Sequence, residues 1–160
     1  CGHTYLNPLN QNSIVRDRVF NGKTFLPFYF RIIDDKFIIT ENASPQELSK
    51  GSEIRKINGV PVKEIIAKLL SVTKGDGTRT LEHRINSLEL TRFEAERYAL
   101  FDMYFPLIFP LKDDKFSIEA VDFASKKRLV FEVPALTKMT QRGLAGSVFI
   151  GAALRSRKES

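Results

Sequence analysis

Short alternating runs and longer helical periods divide the chain into segments that can be assigned one by one. Thr24 to Ile33 is rich in aromatic and β-branched residues, and Asp34-Asp35 turns it back into Lys36 to Thr40, the pattern of a β-hairpin. Ser44-Pro45-Gln46-Glu47 carries the cap residue, first-turn proline and acidic residue of a helix start, and Lys50-Gly51 would end that short helix. In Glu53 to Ile57, Ile54 and Ile57 can face a core while Glu53, Arg55 and Lys56 meet water. Asn58-Gly59 then supplies the positive backbone angles of a tight turn. Pro61 presets a helical turn for the set Val62, Ile65, Ile66, Leu69 and Leu70.

Lys74 to Thr78 is a break, after which helical segments are expected over about 80–88 and 90–103. Leu107-Ile108-Phe109, bracketed by Pro106 and Pro110, reads as a short strand or a buried loop. Phe116, Ile118 and Ala120 alternate with Ser117, Glu119 and Val121, while Leu129, Phe131 and Val133 alternate with Val130 and Glu132. These are two strands joined by a basic turn at Ser125-Lys126-Lys127. Residues 5–22 read as a loop entering an extended piece over 14–20. The apolar, glycine-rich stretch 143–154 fits none of these patterns.

The 160 residues suit one domain, or one compact module with flanking pieces of another. A hydrophobic share of 42% with 13 Phe argues for a packed core over a disordered chain. No run approaches the roughly 18 apolar residues that a membrane-spanning helix needs, so no membrane span is expected. The single cysteine excludes an intrachain disulfide. Because it stands at position 1 without an initiator Met, an internal or processed start is expected, with a lipid-anchored cysteine as the competing account.

Net charge is +6, but residues 138–160 hold Lys138, Arg142, Arg155, Arg157 and Lys158 against Glu159, and so carry most of it. A nucleic-acid binder wants its basic residues on a folded face with aromatics between them, so no nucleic-acid partner is expected.

Few residues carry chemistry on their own. His83 sits between Glu82 and Arg84 in a charged helical stretch. The pairs Asp34-Asp35 and Asp113-Asp114 are each followed by Lys and suit turns better than acid–base work. Two distant histidines make no metal site, and neither metal nor cofactor is expected. Gly143 to Ser147 imitates a small-residue nucleophile turn, yet it follows no strand and has no identifiable base.

Gly51-Ser52-Glu53-Ile54-Arg55-Lys56-Ile57-Asn58-Gly59, with Gly2-His3-Thr4 upstream, resembles the tail-specific and tricorn-like serine peptidases. In those proteins a Gly-His-Thr or Ser-His-Thr core segment precedes a PDZ-like insert that carries a Gly-x-x-Ile-x-x-Ile-Asn-Gly stretch. A hairpin leading into any helix would give similar letters to the second motif alone, and the combination is what points to the family.

The resemblance covers roughly residues 1–135. It implies an α+β fold: a PDZ-like module of short antiparallel strands with flanking helices over 23–135, a partial peptidase-core segment at 1–22, and an unassigned tail at 136–160. It implies His3 as candidate general base, although Gly2 stands where the tricorn-like motif has Ser, and many tail-specific members use a Ser and Lys pair instead. It places the chain in the periplasm or outside the cell, as a fragment that does not hydrolyse peptides by itself and works with the remainder of a peptidase core.

In a PDZ-like fold an extended peptide adds to a strand edge beside a helix. Here these would be Phe28 to Ile33 and Val62 to Leu70, with Phe25, Leu26, Phe28, Phe30, Ile65 and Leu69 as candidate peptide-binding residues. The same aromatics would equally fill a small core. Pro27 lacks an N–H and the usual Gly-Leu-Gly-Phe type loop is absent, which weakens recognition of a free carboxylate. The alternative reading is a non-catalytic peptide-binding module of the envelope.

Overall fold

The structure is a computed structural model and describes residues 14, 22–73, 81–91 and 100–137. Six strands form one antiparallel sheet: β1 (Phe28–Ile33), β2 (Lys36–Asn42), β3 (Glu53–Ile57), β4 (Val60–Pro61), β5 (Lys115–Val121) and β6 (Arg128–Pro134). The order is β1-β2-β3-β5-β6, with β4 paired to β3. Three helices are described, α1 (Val62–Val72), α2 (Leu81–Asn86) and α3 (Leu100–Ile108). The fold is α+β, as the sequence pattern and the family resemblance both imply, and its architecture is compatible with a PDZ-like module.

Turn chemistry sets much of the register. Asp34 and Asp35, Asn58 and Gly59, and Asp113 and Asp114 all have positive φ, between 50° and 79°. Successive positive φ angles are what a two-residue hairpin turn requires, and Asp, Asn and Gly tolerate them best. Thus Ile33 pairs with Lys36 across the first turn and Ile57 with Val60 across the second.

Strand β3 solves a problem of spacing. Residues three apart on a regular strand point to opposite faces, yet Ile54 and Ile57 are both buried. The β3–β5 register slips between Ile54 and Lys56, leaving Arg55 as the extra residue of a bulge, and both isoleucines turn inward opposite Ala120 and Ile118.

The core is an aromatic chain across the sheet. Phe30 stacks on Phe37 at 4.1 Å between ring centres, Phe101 of α3 stands edge-on to both, and Phe105 continues the line to Phe116 on β5. Leu26, Ile39, Ile65 and Leu69 close around it. The two ends of the sheet also meet. Phe25, leading into β1, exchanges backbone hydrogen bonds of 3.0 and 2.9 Å with Leu136, just beyond β6, so the sheet curls into a partly closed barrel.

Four local expectations change. No helix forms over 44–50: the Asn42 side chain accepts from Ser44 N–H and Oγ–H and donates to the Gln46 carbonyl, holding an irregular turn. A segment that short gains too few helical hydrogen bonds to meet the nucleation cost. Leu107 and Ile108 belong to α3, which runs through Pro106 instead of stopping before it, and Phe109 donates its N–H to Phe105 O at 2.7 Å just past the helix end. Leu90, expected in a helix, bridges to Phe30. Of the extended piece expected over 14–20 only Ile14 is described, and it is helical.

Candidate peptide-docking site

The strand and helix that would flank a docked peptide are β1 and α1. Helix α1 begins directly after β4, buries Val62, Ile65, Ile66 and Leu69, and turns Lys63, Glu64 and Lys68 to water. Strand β1 has one neighbour, β2, in the strand order. In an antiparallel hairpin with a two-residue turn, Ile33 and Arg31 direct their backbone groups to the partner strand, and Ile32 and Phe30 direct theirs outward.

Those outward N–H groups are engaged. Phe30 N–H donates to Leu90 O at 3.0 Å, and Ile32 N–H donates to the Glu89 carboxylate at 2.9 Å. The segment that provides both acceptors winds off α2, with Leu88 and Leu90 fully buried. Glu89 also faces Arg31 at 3.7 Å. Helix α2 packs against α1 on one side and β1 on the other. Arg84 fastens it to the carboxyl end of α1 by donating to the carbonyls of Leu70 and Thr73. The space between strand edge and helix therefore holds residues 81–90 of the chain itself.

Phe25, Leu26, Phe28, Phe30, Ile65 and Leu69 are all buried and belong to the packed interior, so they present no open wall. Their burial is what packing requires, the second of the two roles the sequence allows. What β1 offers instead is its backbone edge, together with Arg31. His3 and Ser147 lie outside the described residues, and His83 is exposed on α2. Among the described residues no cluster of His, Cys, Asp or Glu has the makeup of a metal site, and no helix is long and apolar enough to cross a membrane.

A polar cluster unforeseen from the sequence sits at the β5–β6 loop. The Asp122 carboxylate accepts from Ser49 N–H at 2.9 Å, from Ser125 N–H and Oγ–H at 2.8 Å each, and from Ser52 Oγ–H at 3.2 Å. Hydrogen bonds from Ser125 and Ser49 hold this carboxyl well below the usual carboxylate range, against the opposing effect of burial. A carboxylate so saturated with donors is a poor base. Its role is to tie the loop before β3 to the β5–β6 loop. The Asp-x-x-Ser spacing of Asp122 and Ser125 was the available local signal.

The pH consequence follows from the sign of that shift. A carboxyl lowered in the folded state adds stability above its unfolded value, about 4, and the contribution disappears as pH falls toward its folded value. Asp122→Asn should therefore lower Tm by a constant margin above about pH 5, a margin that shrinks below pH 4. Thermal melts from pH 7 to 2 check this, and an equal margin at both ends would contradict it. Glu119 is lowered too, first by its hydrogen bond with Arg128 at 2.9 Å and then by Lys56, but it lies on the outer face of β5.

No family model matches the chain, and no curated protein matches it. Among solved structures, one titled "Crystal Structure of mature CPAF" is a weak neighbour. It aligns over 69% of this chain with a TM-score of 0.43 and 15% identity, and this chain spans 19% of its length.

Proposed function

We propose that the chain is a PDZ-like peptide-handling module of a serine peptidase of the tail-specific or tricorn-like type, with the nucleophile supplied by other sequence. The observation that carries this reading is the engaged edge of β1, where two outward N–H groups donate to oxygens of another segment, one of them in an antiparallel bridge. Strand addition of this kind draws affinity from backbone hydrogen bonds, which suits a module that receives many peptide sequences. The Gly2-His3-Thr4 and Gly51 to Gly59 motifs supply the link to a peptidase, with His3 as candidate general base toward a serine elsewhere.

Peptides ending in an apolar residue, free or amidated, should both shift the Phe30 and Ile32 amide resonances. The two forms should bind alike, because Pro27 removes a donor from the place where a terminal carboxylate would be cradled. If neither amide moves at millimolar peptide, in the native protein and in Glu89→Ala, the reading fails.

A further inference from the structure

We infer that residues 87–91 are a displaceable strap that occupies the peptide edge of β1 in cis, and that the peptides able to replace it carry an acidic residue followed by a large aliphatic one. The inference rests on the docking role proposed for β1 and adds to it a regulation and a sequence preference.

The strap copies what an incoming peptide would have to do. Leu90 gives its carbonyl to Phe30 N–H, Glu89 gives its carboxylate to Ile32 N–H, and the Leu90 side chain joins the hydrophobic core with 1% exposure. Arg31 lies beside Glu89 and supplies the charge that an acidic residue answers. A peptide containing Glu-Leu offers the same carboxylate, the same carbonyl and the same aliphatic group, so strap and peptide compete for one set of partners.

The described attachments of the strap are its two hydrogen bonds to β1, its pair with Arg31 and the buried side chains of Leu88 and Leu90. It hangs from a six-residue helix, α2, none of whose side chains is buried, and that helix is pinned by Arg84 to the end of α1. Isolated helices of that length are not stable in water. Its release would leave the stacked rings of Phe30, Phe37 and Phe101 in place, because these are held by the sheet and α3. Local opening below the free energy of global unfolding is how such segments move.

The test uses a fluorescein-labelled peptide with the sequence of residues 86–91, Asn-Ser-Leu-Glu-Leu-Thr, titrated into the native chain and into Glu89→Ala. The substitution removes the strap's charged acceptor but leaves the edge and Arg31 intact, so the peptide should bind about tenfold or more tightly to the variant. The same peptide with Lys in place of Glu should lose that gain. Arg84→Ala loosens the strap from its other end and should act in the same direction, which covers the case in which Glu89→Ala does not fold.

Equal affinity of native chain and both variants, with binding still mapped to Phe30 and Ile32, would overturn the strap while sparing the docking role. Absence of any binding at β1 would remove the docking role itself. Hydrogen exchange on the native chain gives an independent check. The Phe30 and Ile32 amides should exchange faster than the Ile39 amide, which is bonded to Ser52 O within the sheet. Equal protection of all three would mean that the strap opens only when the whole domain unfolds, and would overturn the inference.

Discussion

Phe30→Ala should lower the unfolding free energy by about 3–5 kcal/mol, the range for truncating a fully buried phenylalanine. The ring has no exposed surface, stacks on Phe37 at 4.1 Å and meets Phe101 edge-on at 5.1 Å. Removing it therefore leaves a cavity bounded by two other rings that the sheet and α3 hold apart. Typical domains are stable by about 5–15 kcal/mol, so the variant would be close to its threshold at 37 °C. The same position was a candidate wall of the peptide groove. A side chain lining an open groove would lose peptide affinity with little loss of stability, so urea denaturation separates the two roles. A change below about 1 kcal/mol would mean that Phe30 is not the packed residue described here.

How far the sequence reaches depends on whether the cause of an element is local. The Asp34-Asp35 and Asn58-Gly59 turns were legible because positive φ is a property of the residues themselves. Strands β5 and β6 were legible because one face of β5 is buried and one face of β6 is half-buried to buried, and the alternation records it. The failures have non-local causes. The Ser44-Pro45 start signal lost to the Asn42 side chain, and the helix expected to end near 103 runs on through Pro106 because Phe101 and Phe105 pack on the sheet. The bulge at Arg55 is visible only once β5, more than sixty residues away, is placed beside β3.

The site shows the same division. Strand β1 and helix α1 were each legible from their own patterns, their pairing as flanks of a peptide came from the PDZ-like resemblance, and both elements exist with nearly the expected bounds. That residues 87–90 lie between them was beyond reach, since the bond from Ile32 to Glu89 joins residues 57 apart and leaves no period in the sequence. Leu88-Glu89-Leu90 looked like the joint between two helices. The two leucines are buried because they join the hydrophobic core, and the segment following α2 is carried there by its bonds to the edge of β1.

Leu69→Ala should cost about 2–5 kcal/mol, whereas its neighbour Lys68→Ala should change stability by less than about 0.5 kcal/mol. Leu69 has no exposed surface and Lys68 faces water. Helix α1 has eleven residues, short of the length at which helices persist alone, so its structure depends on docking its apolar stripe against the sheet and α3. Because Arg84 is bonded to the carbonyls at the end of α1, loosening that helix also loosens the anchor of the 81–91 segment. Leu69→Ala should therefore speed hydrogen exchange at Thr73, whose N–H donates to Leu69 O, and at Phe30, whose N–H donates to Leu90 O. Faster exchange at Thr73 with no change at Phe30 would show that the helix end and the covered strand edge move independently, against the coupling that the Arg84 bonds imply.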